Sequence, residues 1–197
     1  DSYDRPEDYL FPEYDRDGQK AWGYMNKKLE WIIEPQYKNA RDFTDGLALV
    51  KKDNKYGLIN TNNKSVIHFE YDDIDIYDNG LMAVEVNDLV GILDFEGNWL
   101  INPQYKSIRI SPTKEAPFLA IKDNNTYFVN WNNEIIYELE EDQFALDFRN
   151  GITFIYKEIG EIDFENATQL HEIIVIDERG NLVLPEQFIE QVSMYLM

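Results

Sequence analysis

The stretch Trp22–Tyr37, WGYMNKKLEWIIEPQY, decides the fold, because the chain goes on to repeat it. It returns as YGLINTNNKSVIHFEY from Tyr56 to Tyr71 and as VGILDFEGNWLINPQY from Val90 to Tyr105. Gly23, Gly57 and Gly91 stand 34 residues apart, and so do Asn26, Asn60 and Asp94, Ile33, Ile67 and Ile101, and Tyr37, Tyr71 and Tyr105. A fixed period of this size marks one supersecondary unit per repeat, each too small to bury its apolar face without its neighbours.

Within the first copy, Trp22–Asn26 and Trp31–Glu34 are short aromatic and β-branched runs joined by Asn26-Lys27-Lys28-Leu29-Glu30, the pattern of a β-hairpin. The corresponding joints are Asn60-Thr61-Asn62-Asn63, Asp94-Phe95-Glu96-Gly97, Asn130-Trp131-Asn132-Asn133 and Asp177-Glu178-Arg179-Gly180. Asn or Asp opens every joint, as the first position of a type I turn favours, and Gly or Asn closes all but the first, where positive φ is required. Leu29 breaks that rule and is expected to be mildly strained. Pro35-Gln36-Tyr37 and Pro103-Gln104-Tyr105 are read as ending their strands. Gly46-Leu47-Ala48-Leu49-Val50 and Gly80-Leu81-Met82-Ala83-Val84 are further strands, and polar turns lead from them into the next Gly-bearing strand. Apolar runs such as Leu58-Ile59 and Ile92-Leu93 predict sheets covered on both faces.

The expected fold is therefore all-β, built of tandem antiparallel β-meander units of about 34 residues, with units near 22–55, 56–89, 90–125, 126–172 and 173–197. A propeller-like ring of about five small blades is the preferred arrangement, and an open β-solenoid is the alternative. The later copies drift: Tyr127 and Ile174 replace the glycine, and about twelve extra residues within Glu158 to Leu170 are read as an inserted loop, with or without a binding role. Residues 1–21 form an acidic N-terminal arm with seven acidic residues and two prolines around Tyr9-Leu10-Phe11. The arm is expected to supply a closing edge strand for the last unit, which stops after Gln187-Phe188 without its Gly-Leu-Ala-type strand. Asp1 rather than Met at the start is compatible with removal of an upstream segment.

Composition narrows the partners. In 197 residues, 44% hydrophobic and 14% aromatic content is too rich for disorder even at a net charge of −20, so the charge lies on the surface of a folded chain. That surface repels phosphate backbones and anionic lipid and attracts a basic protein partner or cations, so neither nucleic-acid binding nor membrane insertion is expected. No apolar run reaches the ~20 residues that would span a bilayer as a helix. The absence of cysteine removes disulfides, thiol nucleophiles and zinc-thiolate sites and leaves localisation open.

The pattern aromatic-Gly-x-[Ile/Met]-Asn, Trp-x-Ile-x-Pro-x-Tyr and Phe-x-Asp-Gly-Leu-Ala resembles the bacterial WG-containing repeat, also called the KWG repeat. Trp22, Gly23, Asn26, Trp31, Ile33, Pro35, Tyr37, Phe43, Asp45, Gly46, Leu47 and Ala48 carry it in the first unit, and the likeness holds to about Asp123. It implies an all-β repeat module without general enzymatic activity, found in bacterial surface, secreted and toxin-system proteins and serving as a protein-interaction scaffold. Departures are Val90 for the aromatic, Ser65 for Trp and Phe69 for Pro.

No motif identifies a reaction. His68 and His171, far apart and without cysteine, argue against a transition-metal site. No Ser lies in a Gly-x-Ser-x-Gly elbow, and Tyr24 and Met25 stand where a phosphate loop from Gly18 to Gly23 would need Lys and Ser/Thr. Acidic clusters remain: Asp72, Asp73, Asp75 and Asp78; Glu138, Glu140, Glu141 and Asp142; and Asp15-Arg16-Asp17-Gly18, a fragment of a calcium loop lacking its later ligands. The leading expectation is a non-enzymatic interaction scaffold, sharpened as an acidic or immunity-type binder of a basic protein, with no catalytic, cofactor or metal residues. Tyr77 and Trp131, aromatics at loop positions, together with Asp72, Asp73, Asp75 and Asp78 form the candidate interaction surface. The alternative is a carbohydrate-binding or glycoside-hydrolysing β-repeat protein using paired carboxylates.

Overall fold

The structure, a computed structural model, describes residues 9–113, 115–163, 168–183 and 188–193. Among them there is no helix, and the strands form five antiparallel sheets, each ordered as in the chain. The first contains β1 (Phe11–Tyr14), β2 (Trp22–Met25) and β3 (Trp31–Tyr37). The second contains β4 (Asn39–Ala40), β5 (Leu47–Lys52), β6 (Lys55–Asn60) and β7 (Ser65–Tyr71). The third comprises β8 (Asp73–Tyr77), β9 (Leu81–Val86), β10 (Leu89–Asp94) and β11 (Trp99–Tyr105). β12 (Ser107–Arg109), β13 (Phe118–Lys122), β14 (Asn125–Val129) and β15 (Ile135–Leu139) make the fourth. The fifth has β16 (Gln143–Ala145), β17 (Ile152–Asp163), β18 (Thr168–Asp177) and β19 (Phe188–Ser193).

The sheets are out of phase with the sequence repeat. Leu47–Lys52 ends the first sequence unit, yet it pairs with β6 of the next, because the two-residue turn Asp53-Asn54 (φ 49° and 67°) holds them together. Asn87-Asp88 and Asp123-Asn124 make the same turn with both residues at positive φ, the type I′ geometry that Asn and Asp tolerate. The strand missing from the series is therefore one at the beginning. β1 supplies it, pairing Glu13 with Gly23 as Val50 pairs with Gly57, whereas the last sheet is completed by β16–β19 from its own residues. This corrects the expectation that the arm completes the last unit. The insertion is likewise corrected: the residues from 158 to 163 and from 168 to 170 are not a loop but lengthen the hairpin of β17 and β18, where Glu158 pairs with His171 and Asp163 with Thr168.

The recurrent glycine makes room for a bulge. From the Trp22–Tyr37 pair to the Tyr24–Ile33 pair, β2 advances two residues and β3 four. A Cβ on Gly23 would stand 2.5 Å from the Ile33 carbonyl oxygen and 2.9 Å from the Trp31 ring. Gly57 and Gly91 face the Ile67 and Ile101 carbonyls at 2.7 and 2.5 Å in the same way. Pro35 therefore does not end β3. It lies inside the strand, at the bulge, where a missing N–H breaks no ladder bond.

The chain divides into two compact units: the described residues up to Ile76 with Gly80–Pro103, and Tyr77–Asn79 with those from Gln104 on. In the first, one face of the second sheet (Ala48, Val50, Ile59) packs with Leu10, Tyr24, Ile33 and Tyr37. Its other face (Leu49, Leu58, Ile67, Tyr71) packs with Ile74, Met82, Val84 and Leu93. Both faces are thus covered, as the apolar runs require. In the second unit, Phe128, Leu139, Phe148, Ile155 and Ile176 form the core.

Candidate functional site

Each of the five hairpin loops is built alike. The backbone N–H of Leu29, Asn63, Gly97, Asn133 and Gly180 donates to the carbonyl of Asn26, Asn60, Asp94, Asn130 and Asp177 respectively. The closing residue has positive φ in every case, including Leu29 at 61°, so the strain read from the sequence is located there. The opening side chain explains its own recurrence: Asn26 Oδ1 accepts from the N–H of Lys28 and Glu30, and Asn60, Asn130 and Asp177 accept in the same two places. A second contact swaps polarity between loops. Asn26 and Asn130 donate Nδ2 to Glu30 and Glu134, whereas Asp94 and Asp177 accept from Nδ2 of Asn98 and Asn181. The Asn98 and Asn181 hydrogen bonds hold the Asp94 and Asp177 carboxyls below the ordinary carboxylate range.

The loops also serve the strand before them. Buried Tyr37 donates its hydroxyl to Asn63 Oδ1 at 2.5 Å, and Tyr105 donates to Asn133 Oδ1 at 2.7 Å. Tyr71 faces no such acceptor, since Gly97 closes the third loop; burial, aided by Glu70, pushes its pKa up to about 12. This latch between tyrosine and loop asparagine escaped the sequence reading. Its signal was the Asn, rather than Gly, at 63 and 133, where two residue types satisfy the turn but only one has an acceptor.

The candidate residues are placed as follows. Asp72 is committed internally: it pairs with Lys55 and accepts from the Asn87 N–H at 3.0 Å, the Lys55 hydrogen bond lowering its pKa most. Asp73 and Asp75 are exposed on β8 around the buried Ile74, and Asp73 Oδ1 accepts from the Ile74 N–H. Asp78 is exposed and Tyr77 half-buried. Trp131 folds back: its indole N–H donates to the Ala116 carbonyl at 2.9 Å and its ring lies 5.2 Å from Phe118. Asp72, Asp73 and Asp75 belong to the first compact unit, and Tyr77, Asp78 and Trp131 to the second.

In the other acidic clusters Asp15, Glu138, Glu140 and Asp142 are held by local donors. Asp15 accepts from the N–H of Gly18 and Gln19, which lower its pKa, so the Asp-x-Asp-Gly fragment is a capped turn. Glu140 and Asp142 flank Lys157, whose pKa rises mainly through the Glu140 hydrogen bond, and Glu138 accepts from Asn125. Among the described residues, no group of three or more His, Cys, Asp or Glu side chains could hold a metal ion, and no helix is long and apolar enough to cross a membrane.

Comparison with known proteins agrees with the local geometry. The family model of the WG containing repeat matches twice, over residues 22–56 and 56–89. No curated protein matches the chain. Among solved structures, PorZ of Porphyromonas gingivalis, described as an essential bacterial surface component of the type-IX secretion system, is similar at 8% identity and a TM-score of 0.31. The match covers 87% of this chain and 30% of that one, and at such a TM-score it supports no argument about fold or function. The glycine-centred bulge, the capped loop and the family match coincide over residues 22–89, the stretch that carries two WG containing repeats.

Proposed function

We propose that this chain is a non-enzymatic protein-interaction scaffold whose WG-type sheets present an acidic surface to a basic protein partner. The observation that carries this reading is the state of its carboxylates. With 38 Asp and Glu against 18 Lys and Arg, the surface field is negative. Every described carboxyl with a displaced pKa is moved downward, at Asp15, Asp72, Asp94 and Asp177. A general acid for glycoside hydrolysis needs the opposite displacement. Ionised carboxylates fixed by backbone and amide donors suit steering of a cationic partner, which raises association rate more than affinity.

The same reading includes a propeller-like ring of five small sheets in preference to an open solenoid, on the grounds that repeated meanders bury both faces of their inner strands. Small-angle scattering addresses it: a compact chain of this length has a radius of gyration of about 16 Å, and a clearly larger value sinks the ring.

The functional test is affinity capture on the immobilised chain from native lysate at low and at moderate salt, with the bound proteins identified by mass. A single basic protein released as salt rises is expected. Should nothing basic be retained while a glycan panel raises the melting temperature, the carbohydrate reading replaces this one.

A further inference from the structure

Four of the five sheets carry a short outer strand beyond the strand that pairs with the Gly-type strand: β4, β8, β12 and β16. The first sheet ends at β1, and among the described residues nothing pairs with the outer edge of that strand. We propose that the outer edge of β1 (Phe11–Tyr14) is a docking site for an extended strand of a partner protein, with one aliphatic residue at its centre and basic residues beside it. The proposal rests on the scaffold reading above and gives it a location.

The register shows which groups the edge offers. Glu13 pairs with Gly23 as Val50 pairs with Gly57, so Pro12 corresponds to Leu49 and Phe154, and Tyr14 to Lys51, Glu85 and Ile121. In the second, third and fourth sheets the carbonyls of Lys51, Glu85 and Ile121 accept from the N–H of Lys38, Asp72 and Lys106 at 2.7, 2.8 and 2.7 Å. Leu49 and Phe154 carbonyls accept from Arg41 and Leu146 at 2.9 and 3.0 Å. Pro12 has lost the N–H, but the bonds at Leu49 and Phe154 use the carbonyl, which proline keeps. β1 therefore retains the acceptors at Pro12 and Tyr14 that the other sheets use to hold their outer strand, the requirement for strand addition.

The strands that fill this place elsewhere specify the occupant. Ala40, Ile74 and Ile108, spaced 34 apart, are the buried residues of β4, β8 and β12, with polar neighbours in sequence on either side. A partner strand must bring a comparable aliphatic side chain. Around the edge, Glu13 is exposed and Asp15 and Asp17 follow it, so the flanking residues of the partner must be cationic where those of β8 are Asp73 and Asp75.

The test uses the full chain and a blocked peptide, Lys-Ile-Lys-Ile-Tyr, which is the β8 sequence with its two aspartates replaced by lysine. Hydrogen exchange is followed at the Tyr14 amide, with the amide of its register equivalent Lys51 as the internal reference. In the free chain Tyr14 is expected to exchange much faster than Lys51, and saturating peptide is expected to slow it on the order of tenfold. Binding is expected to weaken several-fold in Glu13→Lys and to vanish in Tyr14→Pro, which removes the outward donor. If Tyr14 is already as protected as Lys51 in the free chain, the place is filled from within the chain and the proposal fails. A peptide that does not bind, or that slows amides only elsewhere, also overturns the edge site. Such a result leaves the scaffold reading standing, because lysate capture tests that reading separately. Should Tyr14→Pro not fold, Glu13→Lys decides, since unchanged binding in that variant is incompatible with the electrostatic half of the claim.

Discussion

The first two sheets and the fourth solve the same pairing problem with different residues. Where Gly23 and Gly57 sit, the facing strands β3 and β7 run seven residues and carry two extra residues opposite the glycine. Where Tyr127 takes that place, β15 runs five residues and pairs one for one through Thr126–Leu139, Tyr127–Glu138 and Phe128–Tyr137. Leu139 then occupies the position of Tyr37, and the latch to the following loop is gone. The lesson is that the glycine, the two extra residues and the terminal tyrosine are one device. A side chain at the glycine position is accommodated only when the bulge is deleted with it.

The largest predicted effect breaks that device. Gly91→Ala places a methyl, at a buried position, 2.5 Å from the Ile101 carbonyl oxygen and 2.7 Å from both Pro103 N and the Trp99 ring. Urea unfolding should show a loss of about 3 kcal/mol or more, in the range of severe overpacking. The reverse change in the fourth sheet, Tyr127→Gly, should cost only about 1 kcal/mol for backbone entropy and lost packing. Equal losses at the two positions would dissolve the distinction.

Smaller is the latch. Tyr37→Phe and Asn63→Gly should each cost about 1 kcal/mol, and the double variant little more than either, because both remove one hydrogen bond. In the third sheet Gly97→Asn offers Tyr71 the loop acceptor that Tyr37 and Tyr105 have, at a φ of +86° that Asn accepts better than other side chains. A gain in melting temperature there would show the latch to be transferable, and a loss would confine it to the sheets that have it.

Next comes the first loop. Leu29 is 70% exposed at φ 61°, the position that the other loops fill with Asn or Gly. Leu29→Gly should stabilise the chain by roughly 0.5–1 kcal/mol by relieving left-handed strain. A destabilised variant would mean that Leu29 makes a compensating contact.

The smallest effects separate the Asp-opened from the Asn-opened loops. Asp94 and Asp177 have folded pKa values below 3.8, so their contribution is present above the unfolded value and is lost as pH falls through the lowered one. Asn26, Asn60 and Asn130 do not titrate. Asp94→Asn combined with Asn98→Glu copies the first loop, and its acid-unfolding midpoint should shift to lower pH with stability at pH 7 little changed. An unmoved midpoint would place the acid sensitivity elsewhere. At the alkaline end the sign reverses: Tyr71, raised to about 12, supports folding fully below its unfolded value near 10 and ceases to as pH rises through the folded one.

Much of this was legible in one dimension because it is local. The period, the antiparallel hairpins, the capped turns and the strain at Leu29 follow from φ preferences and short-range hydrogen bonds, which act between residues a few positions apart. The net charge of −20 is read directly from the sequence, since charge is additive along the chain. Tertiary structure decided what depends on distant partners. The repeat can be cut anywhere along its period, so only pairing shows that Leu47–Lys52 belongs with Lys55–Asn60 and that β1 fills the first sheet. Trp131 reads as an exposed loop aromatic until the Ala116 carbonyl is found to hold it, and Asp72 reads as a free acid until Lys55 and Asn87 are placed beside it. Proline reads as a strand end because it lacks an N–H, and only the opposing glycine, 12 residues away, makes a bulge in which none is needed.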